Sequence, residues 1–253
     1  MEPKQSYRIW FTPRTGSTLL CKGLESTGIA GKPGEYLTLF GTNSLCEQHQ
    51  VARYEELKDK IWELGTSSNG VLGIKNTLHS SRSDKKFQEI LQLRNKGEGL
   101  SVNREKVWAD IFPNCKHIFL TRRNKIRQAV SWWKAIQNNV WHIENGEKTK
   151  QEFSANKYDF DALSHLFKEA FLMECATQEY FKKYNIIPLN IVYEDYIQDF
   201  EGTIRRIIDF LEVDVADYEV GNMFYKPTAD ENSEIWVQRF RNDFQAQMEE
   251  KPW

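Results

Sequence analysis

Residues 11–20 read Phe-Thr-Pro-Arg-Thr-Gly-Ser-Thr-Leu-Leu, an apolar run that breaks at proline, glycine and hydroxyl residues and resumes at once with a helical pattern. A strand that stops in such a turn and feeds straight into a helix leaves the N–H groups of the first helical turn facing the break, where they can cradle a phosphate. This β-loop-α opening constrains the fold strongly, because a strand that leads into a helix packs best in a parallel sheet.

The rest of the chain repeats the alternation. Residues 7–12 read as the first strand and 18–26 as a helix that ends at Gly28, followed by a Gly/Pro-punctuated loop over 31–40. Short apolar runs at 71–75, 117–121 and 189–192 have the character of buried strands. Amphipathic stretches at 54–64, 85–96, 124–139, 161–184 and 195–211 separate and follow them. The expected architecture is α/β, a P-loop-like central parallel sheet with helices on both faces, in a single domain over residues 1–253. No internal repeat is visible. The most polar stretch, 141–160, contains Glu-Asn-Gly-Glu-Lys-Thr-Lys-Gln-Glu and reads as a surface loop or lid.

With 34 basic and 36 acidic side chains the net charge is −2, so no global field draws the chain to nucleic acid or to an acidic membrane. An anion site must be local. The four cysteines stand far apart, without CxxC or metal-ligand spacing, and read as reduced and mostly buried. The five histidines do not cluster, and no metal is expected. Neither a signal peptide nor a membrane span is visible, which makes a cytoplasmic location the expectation.

Which phosphate the loop would bind is narrowed by what it lacks. A Walker loop needs GxxxxGK[ST], yet no such lysine is present, and Gly31-Lys32 is followed by proline. GxGxxG is also absent after the first strand. Arg14 therefore stands where the cation is needed, and its fork of donors suits a bridging phosphate oxygen without requiring a metal. An ordinary turn whose hydroxyl caps a helix would look the same.

A second signal lies about a hundred residues on. From residue 111 to 143 there is no Asp or Glu, while Lys116, Arg122, Arg123, Lys125, Arg127 and Lys134 all fall within that span. This one-signed segment follows a predicted strand, where ligands bind at the carboxyl ends of parallel strands. Ile126, Val130, Trp133 and Val140 form an apolar stripe, which leaves Arg127, Ser131 and Lys134 on a different face. Arg127 and Lys134 read as a solvated basic face, and the Trp132-Trp133 pair and Trp141 as core. Arg122 and Ser131 can reach one anion only if a loop folds back.

Taken in order, "PRTGSTLL", "GKPGEY", "GIK", "TRRNKIRQAVSWWKAIQ" and "SEIWVQRFR" resemble the bacterial trehalose 2-sulfotransferase family over about residues 7–241. Its members use 3′-phosphoadenosine 5′-phosphosulfate (PAPS) and release 3′,5′-ADP. The resemblance implies a 5′-phosphosulfate loop of Arg14, Thr15, Gly16, Ser17 and Thr18, with threonine at 15 where the family usually shows serine. It implies that Arg122 and Ser131 hold the 3′-phosphate. Trp236, Arg239 and Arg241 would belong to a C-terminal segment, about 222–253, that closes over the nucleotide. Glu35 aligns with the carboxylate proposed as general base, and Lys75, which ends the strand "VLGIK", faces the mouth of the site in a catalytic, substrate-binding or merely strand-ending role. A homodimer is compatible with the resemblance.

The expected activity is sulfuryl transfer to a hydroxyl of a carbohydrate, glycolipid or other small alcohol. Residues 36–64 and 141–159 should shape the acceptor pocket, and they carry no pattern specific to trehalose. Two alternatives remain open on the residues alone. Glu194-Asp195 after a strand could mimic the acidic end of a Walker B strand in a kinase-like phosphotransferase, although Asp195 more simply caps the helix that follows. The basic, tryptophan-containing stretch 116–134 could serve a non-enzymatic nucleotide- or nucleic-acid-binding module.

Overall fold

A computed structural model describes residues 2–39, 44–77, 87–95, 104–142, 157–214, 217–222, 225 and 229–249. Among these residues four strands form one sheet: β1 (Gln5–Phe11), β2 (Val71–Asn76), β3 (Cys115–Thr121) and β4 (Leu189–Val192). Their order is β2-β1-β3-β4, and every pairing is parallel.

The helices are α1 (Ser17–Ser26), α2 (Leu45–His49), α3 (Tyr54–Gly65), α4 over residues 87–95, α5 (Arg104–Ile111), α6 (Lys125–Asn138), α7 (Phe160–Lys183), α8 (Tyr193–Tyr196), α9 (Phe200–Leu211) and α10 (Glu231–Glu249). The sequence pattern locates all four strands to within two residues at either end.

Side chains alternate across β1 and sort the core into layers. Tyr7, Ile9 and Phe11 join Ile118, Leu120 and Ile191 on the face covered by α1 and α9. On the other face Trp10 packs with Phe119 and with Phe181 of α7. Leu72 and Ile74 of β2 meet α3 and α5 there. Helices thus cover both faces. A fourth cluster joins α6, α7 and α10 through Val130, Leu163, Trp236 and Phe240.

The sheet grows from β1 outward in both directions, to β2 on one side and to β3 on the other. In open parallel sheets the crevice at such a reversal, beyond the carboxyl ends of the strands, is where ligands bind. The loop after β1 and the residues after β3 both open there.

Three expectations are corrected. The stretch 195–211 is not one helix capped by Asp195. The chain leaves the helical conformation at Asp199, whose carboxylate accepts from Gly202 N at 3.0 Å and caps α9, while Asp195 lies within α8. Cysteine burial is uneven: Cys21 is buried, Cys46 and Cys115 are partly so, and Cys175 is exposed. Trp141 is not core, being 40% exposed. The polar stretch 144–152 lies outside the described residues. Among those that are described, no helix is long and apolar enough to cross a membrane.

Candidate functional site

The loop after β1 is stiffened from inside. Thr15 Oγ1 donates to the Thr12 carbonyl at 2.8 Å, and the fully buried Gln128 of α6 donates to Thr12 Oγ1 at 2.7 Å and to the Pro13 carbonyl at 2.8 Å. The hydroxyl of Thr15 therefore shapes the loop instead of facing out of it. Arg14 and Gly16 both take positive φ, 67° and 78°. At Gly16 the absence of a side chain is required, since a Cβ would lie 2.7 Å from Tyr196 Oη. That hydroxyl donates to the Gly16 carbonyl at 2.9 Å.

Helix α1 starts at Ser17, and no side chain caps it. The amides of its first turn have no acceptors within the helix, so its positive end opens towards the crevice.

Two guanidinium groups converge on this opening. Arg14 Nε donates to Ser131 Oγ at 2.9 Å, and its Nη1 donates to the carbonyl of Trp141. Arg122 Nη1 donates to the Arg14 carbonyl at 3.0 Å, and its guanidinium lies 4.5 Å from the centre of the Tyr193 ring. Arg122 and Ser131 thus both meet the loop at Arg14, one at its carbonyl and the other at its side chain. Burial, and next the charge of Arg122, pull Arg14 down to about 10. Burial lowers Arg122 too. Both stay cationic at neutral pH, and their mutual repulsion favours an anion between them.

Arg122 Nε is buried and makes no hydrogen bond within the described residues; Glu194 Oε1 is 3.7 Å away. Below it, Lys125 Nζ bonds the Arg122 carbonyl and pairs with Glu174 at 2.5 Å, which fixes the backbone that presents the arginine. Glu194 also accepts from the backbone N–H of Arg123 at 2.9 Å and of Asn124 at 3.1 Å, and Asp195 is forked by Arg123. These carboxylates are committed to protein donors, which is a different use from the metal-binding end of a Walker B strand.

The second half of the site is zipped to β2. Gly34 forms a parallel bridge with Ile74, and Lys75 N donates to the Gly34 carbonyl at 2.9 Å. This register brings Glu35 beside Lys75, with Nζ 3.0 Å from Glu35 Oε1. Lys75 is only 7% exposed, its Nζ lies 5.1 Å from the centre of the Phe11 ring, and it donates to Thr18 Oγ1 at 2.9 Å. The same Thr18 oxygen lies 3.2 Å from His142 Nε2. Glu35, Lys75, Thr18 and His142 thus form one polar chain that runs from the edge of the sheet to the start of α1.

A pocket of about 250 Å³ lies over the first turn of α1. Its described lining contains Arg14, Arg122, Arg127 and Lys134 and no carboxylate. In a chain with net charge −2 this gathers positive charge around one cavity, although Lys134 and Arg127 are each paired with a carboxylate outside the lining.

Lys134 differs from the expected solvated face, whereas Arg127, exposed on α6, agrees with it. Lys134 is 5% exposed and donates to Asp230 Oδ1 at 2.5 Å and to Ser233 Oγ at 2.7 Å. Arg127 pairs with Glu234 at 2.6 Å. Both tie α6 to α10, because the basic face of α6 is where α10 docks.

Trp236, Arg239 and Arg241 do not line the pocket. Trp236 is buried against Val130 and Tyr158, Arg239 stacks 4.0 Å from the centre of the Tyr158 ring, and Arg241 is exposed. Ser233 and Val237 of α10 form part of the pocket wall in their place.

His142, Tyr193 and Tyr225 also line the pocket, and sequence reasoning did not single them out. For His142 the only available signal was its place near the end of the acid-free span. Its distance in sequence from Thr18 hides their contact.

Compared with known proteins, the chain matches the family described as Stf0 sulphotransferase (Sulphotransf) over residues 6–243. Two curated relatives are both named trehalose 2-sulfotransferase. The one from Mycolicibacterium smegmatis is 26% identical, with 95% of this chain and 96% of the relative covered. The one from Mycobacterium tuberculosis is 24% identical, covering 93% and 94%. Among solved structures, a sulfotransferase from Alicyclobacillus acidocaldarius aligns over 96% of this chain and 93% of its own, at 12% identity and a TM-score of 0.43. The sulfotransferase domain of the Synechococcus PCC 7002 olefin synthase aligns over 95% and 88%, at 16% identity and a TM-score of 0.40.

Proposed function

The chain belongs to the Stf0 sulphotransferase family, and on that premise we propose that it moves a sulfuryl group from PAPS to a hydroxyl of a carbohydrate, glycolipid or related small alcohol. The observation that carries this reading is the meeting of Arg14, Arg122 and the uncapped start of α1 in one pocket whose described lining holds four cations and no carboxylate. A nucleotide with phosphates on both its 3′ and 5′ sides supplies anionic oxygens for both guanidinium groups and for the amides of the first helical turn. The buried Arg122 Nε, which makes no hydrogen bond within the described residues, has the character of a donor awaiting a ligand oxygen.

In this reading Arg14 and the amides of Ser17 and Thr18 receive the 5′-phosphosulfate. Arg122 and Ser131 receive the 3′-phosphate. The segment from about residue 222 onward closes the pocket through Ser233 and Val237, held by Lys134 and Asp230, and the whole chain acts as one sulfotransferase domain.

Glu35 takes the proton of the acceptor hydroxyl as its oxygen bonds to sulfur. The bond from sulfur to the phosphate oxygen breaks, and the electron pair leaves with the 5′-phosphate of 3′,5′-ADP. Arg14 and the loop amides stabilise that charge, an effect typically worth about 10²–10³-fold for each preorganised donor. Lys75 holds the Glu35 carboxylate and sets its cation at the centre of transfer.

The names of the two curated relatives support a carbohydrate acceptor. The decisive assay incubates the chain with PAPS, a chelator and a panel of sugars, glycolipids and small alcohols. Release of 3′,5′-ADP with sulfate incorporated into one acceptor class is expected. Failure to release it with any acceptor, or magnesium-dependent consumption of ATP instead, would overturn the reading.

A further inference from the structure

We propose that His142 is a further residue of the transfer site, whose imidazole hydrogen-bonds the transferring sulfuryl group beside Lys75. The inference rests on the function proposed above and extends it to a residue outside the phosphate-loop motif.

His142 and Lys75 reach the same atom from two directions: Thr18 Oγ1 lies 3.2 Å from His142 Nε2 and 2.9 Å from Lys75 Nζ. Thr18 is the second residue of α1, so this hydroxyl sits in the helical turn whose amides face the pocket. An anion seated on those amides presents oxygens to every group now gathered around Thr18 Oγ1.

The position of the ring is built, and three separate segments build it. Helix α6 ends at Asn138, and Asn139 turns the chain back with φ 51°. Trp141 then gives its carbonyl to Arg14, and the His142 ring packs on Tyr225 with centroids 5.2 Å apart.

The charges around the ring define what it contributes. Arg14 faces it from the loop, Lys75 from β2, Glu35 from the segment zipped to β2 and Tyr225 from the C-terminal part of the chain. Burial, followed by Arg14 and Lys75, pulls the imidazole down to about 4, with Glu35 opposing. At neutral pH the ring is uncharged and offers a donor without adding another cation to a site that already has several. A neutral imidazole can polarise a reacting oxygen in this way.

The test compares His142→Ala and His142→Gln with the wild type by single-turnover sulfate transfer and by calorimetry with 3′,5′-ADP, which lacks the sulfuryl group. The Ala variant should lose about 10²-fold in transfer while its affinity for 3′,5′-ADP changes by less than about threefold, and the amide of Gln should restore about tenfold or more. Transfer by the Ala variant at the wild-type rate overturns the proposal. So does parallel loss of nucleotide binding, which would make His142 a strap for Arg14, and so does a Gln variant no better than Ala. A wild type that binds no 3′,5′-ADP and transfers no sulfate would remove the underlying reading, and the inference with it.

Discussion

Arg122 presents its guanidinium into the pocket under three constraints: the Arg14 carbonyl, the Tyr193 ring and the Lys125–Glu174 pair beneath its backbone. If it holds a 3′-phosphate, Arg122→Ala should weaken 3′,5′-ADP by about 1.5–3 kcal/mol, or about 10- to 150-fold, and 5′-AMP far less. Calorimetry on the two nucleotides reads this directly, and equal losses would remove the assignment.

Glu35 permits a cleaner separation. Glu35→Gln still accepts from Lys75 Nζ yet cannot take a proton at neutral pH. Transfer should fall by about 10²-fold or more while 3′,5′-ADP binds as before and circular dichroism is unchanged. Near-normal transfer would pass the role of base to another group. Arg14, Arg122 and Ser131 were legible in the sequence because their signals are local, a loop motif and a span free of acids. The contact of Glu35 with Lys75 is not local. It comes from the bridge between Gly34 and Ile74, and nothing in the sequence pointed to it; the family resemblance singled out Glu35 as base but not its partner.

Among elements, the entry to α1 is the least tolerant of change. Gly16→Ala must hold an L side chain at φ 78°, which costs about 1–3 kcal/mol, and must also push against Tyr196 and Tyr193. The variant should melt earlier and lose most affinity for 3′,5′-ADP; thermal denaturation that matches the wild type, with intact binding, would show that the loop relaxes freely. The boundary between α8 and α9 illustrates why element ends are harder to read than elements. Asp195 and Asp199 are both chemically able to cap a helix, and the cap fell to Asp199 because the chain leaves the helical conformation there, whereas Asp195 lies inside α8. Similarly, Trp236 at helical spacing went to the packing of α6, α7 and α10, where a large aromatic buries more surface than at a pocket wall.

Across the whole molecule, the pocket joins residues as far apart as Arg14 and Val237. A ligand held there braces the sheet, α6 and α10 together, so its binding energy adds to the stability of all three. At 100 times its dissociation constant, 3′,5′-ADP should add about 2.7 kcal/mol and raise the melting temperature by about 5–10 °C in a chain of this size. Scanning calorimetry with a chelator present checks it, and no shift at saturating nucleotide would mean that the pocket is not the binding site. The layered α/β plan was legible from the alternation of short apolar runs and amphipathic stretches. The back-turn at Asn139 that returns His142 to Thr18 was not, since nothing in the local pattern encodes a contact 124 residues away.

The position of β1 at the centre of the sheet has a consequence for biosynthesis. Its apolar side chains face both layers, yet its second neighbour, β3, ends at Thr121. At a translation rate of about 5–20 residues per second, roughly 5–20 s separate the emergence of β1 from that of β3. During that interval a nascent chain carries a sticky strand with one open edge, so slower growth temperatures and abundant chaperones should favour the yield of folded enzyme over inclusion bodies.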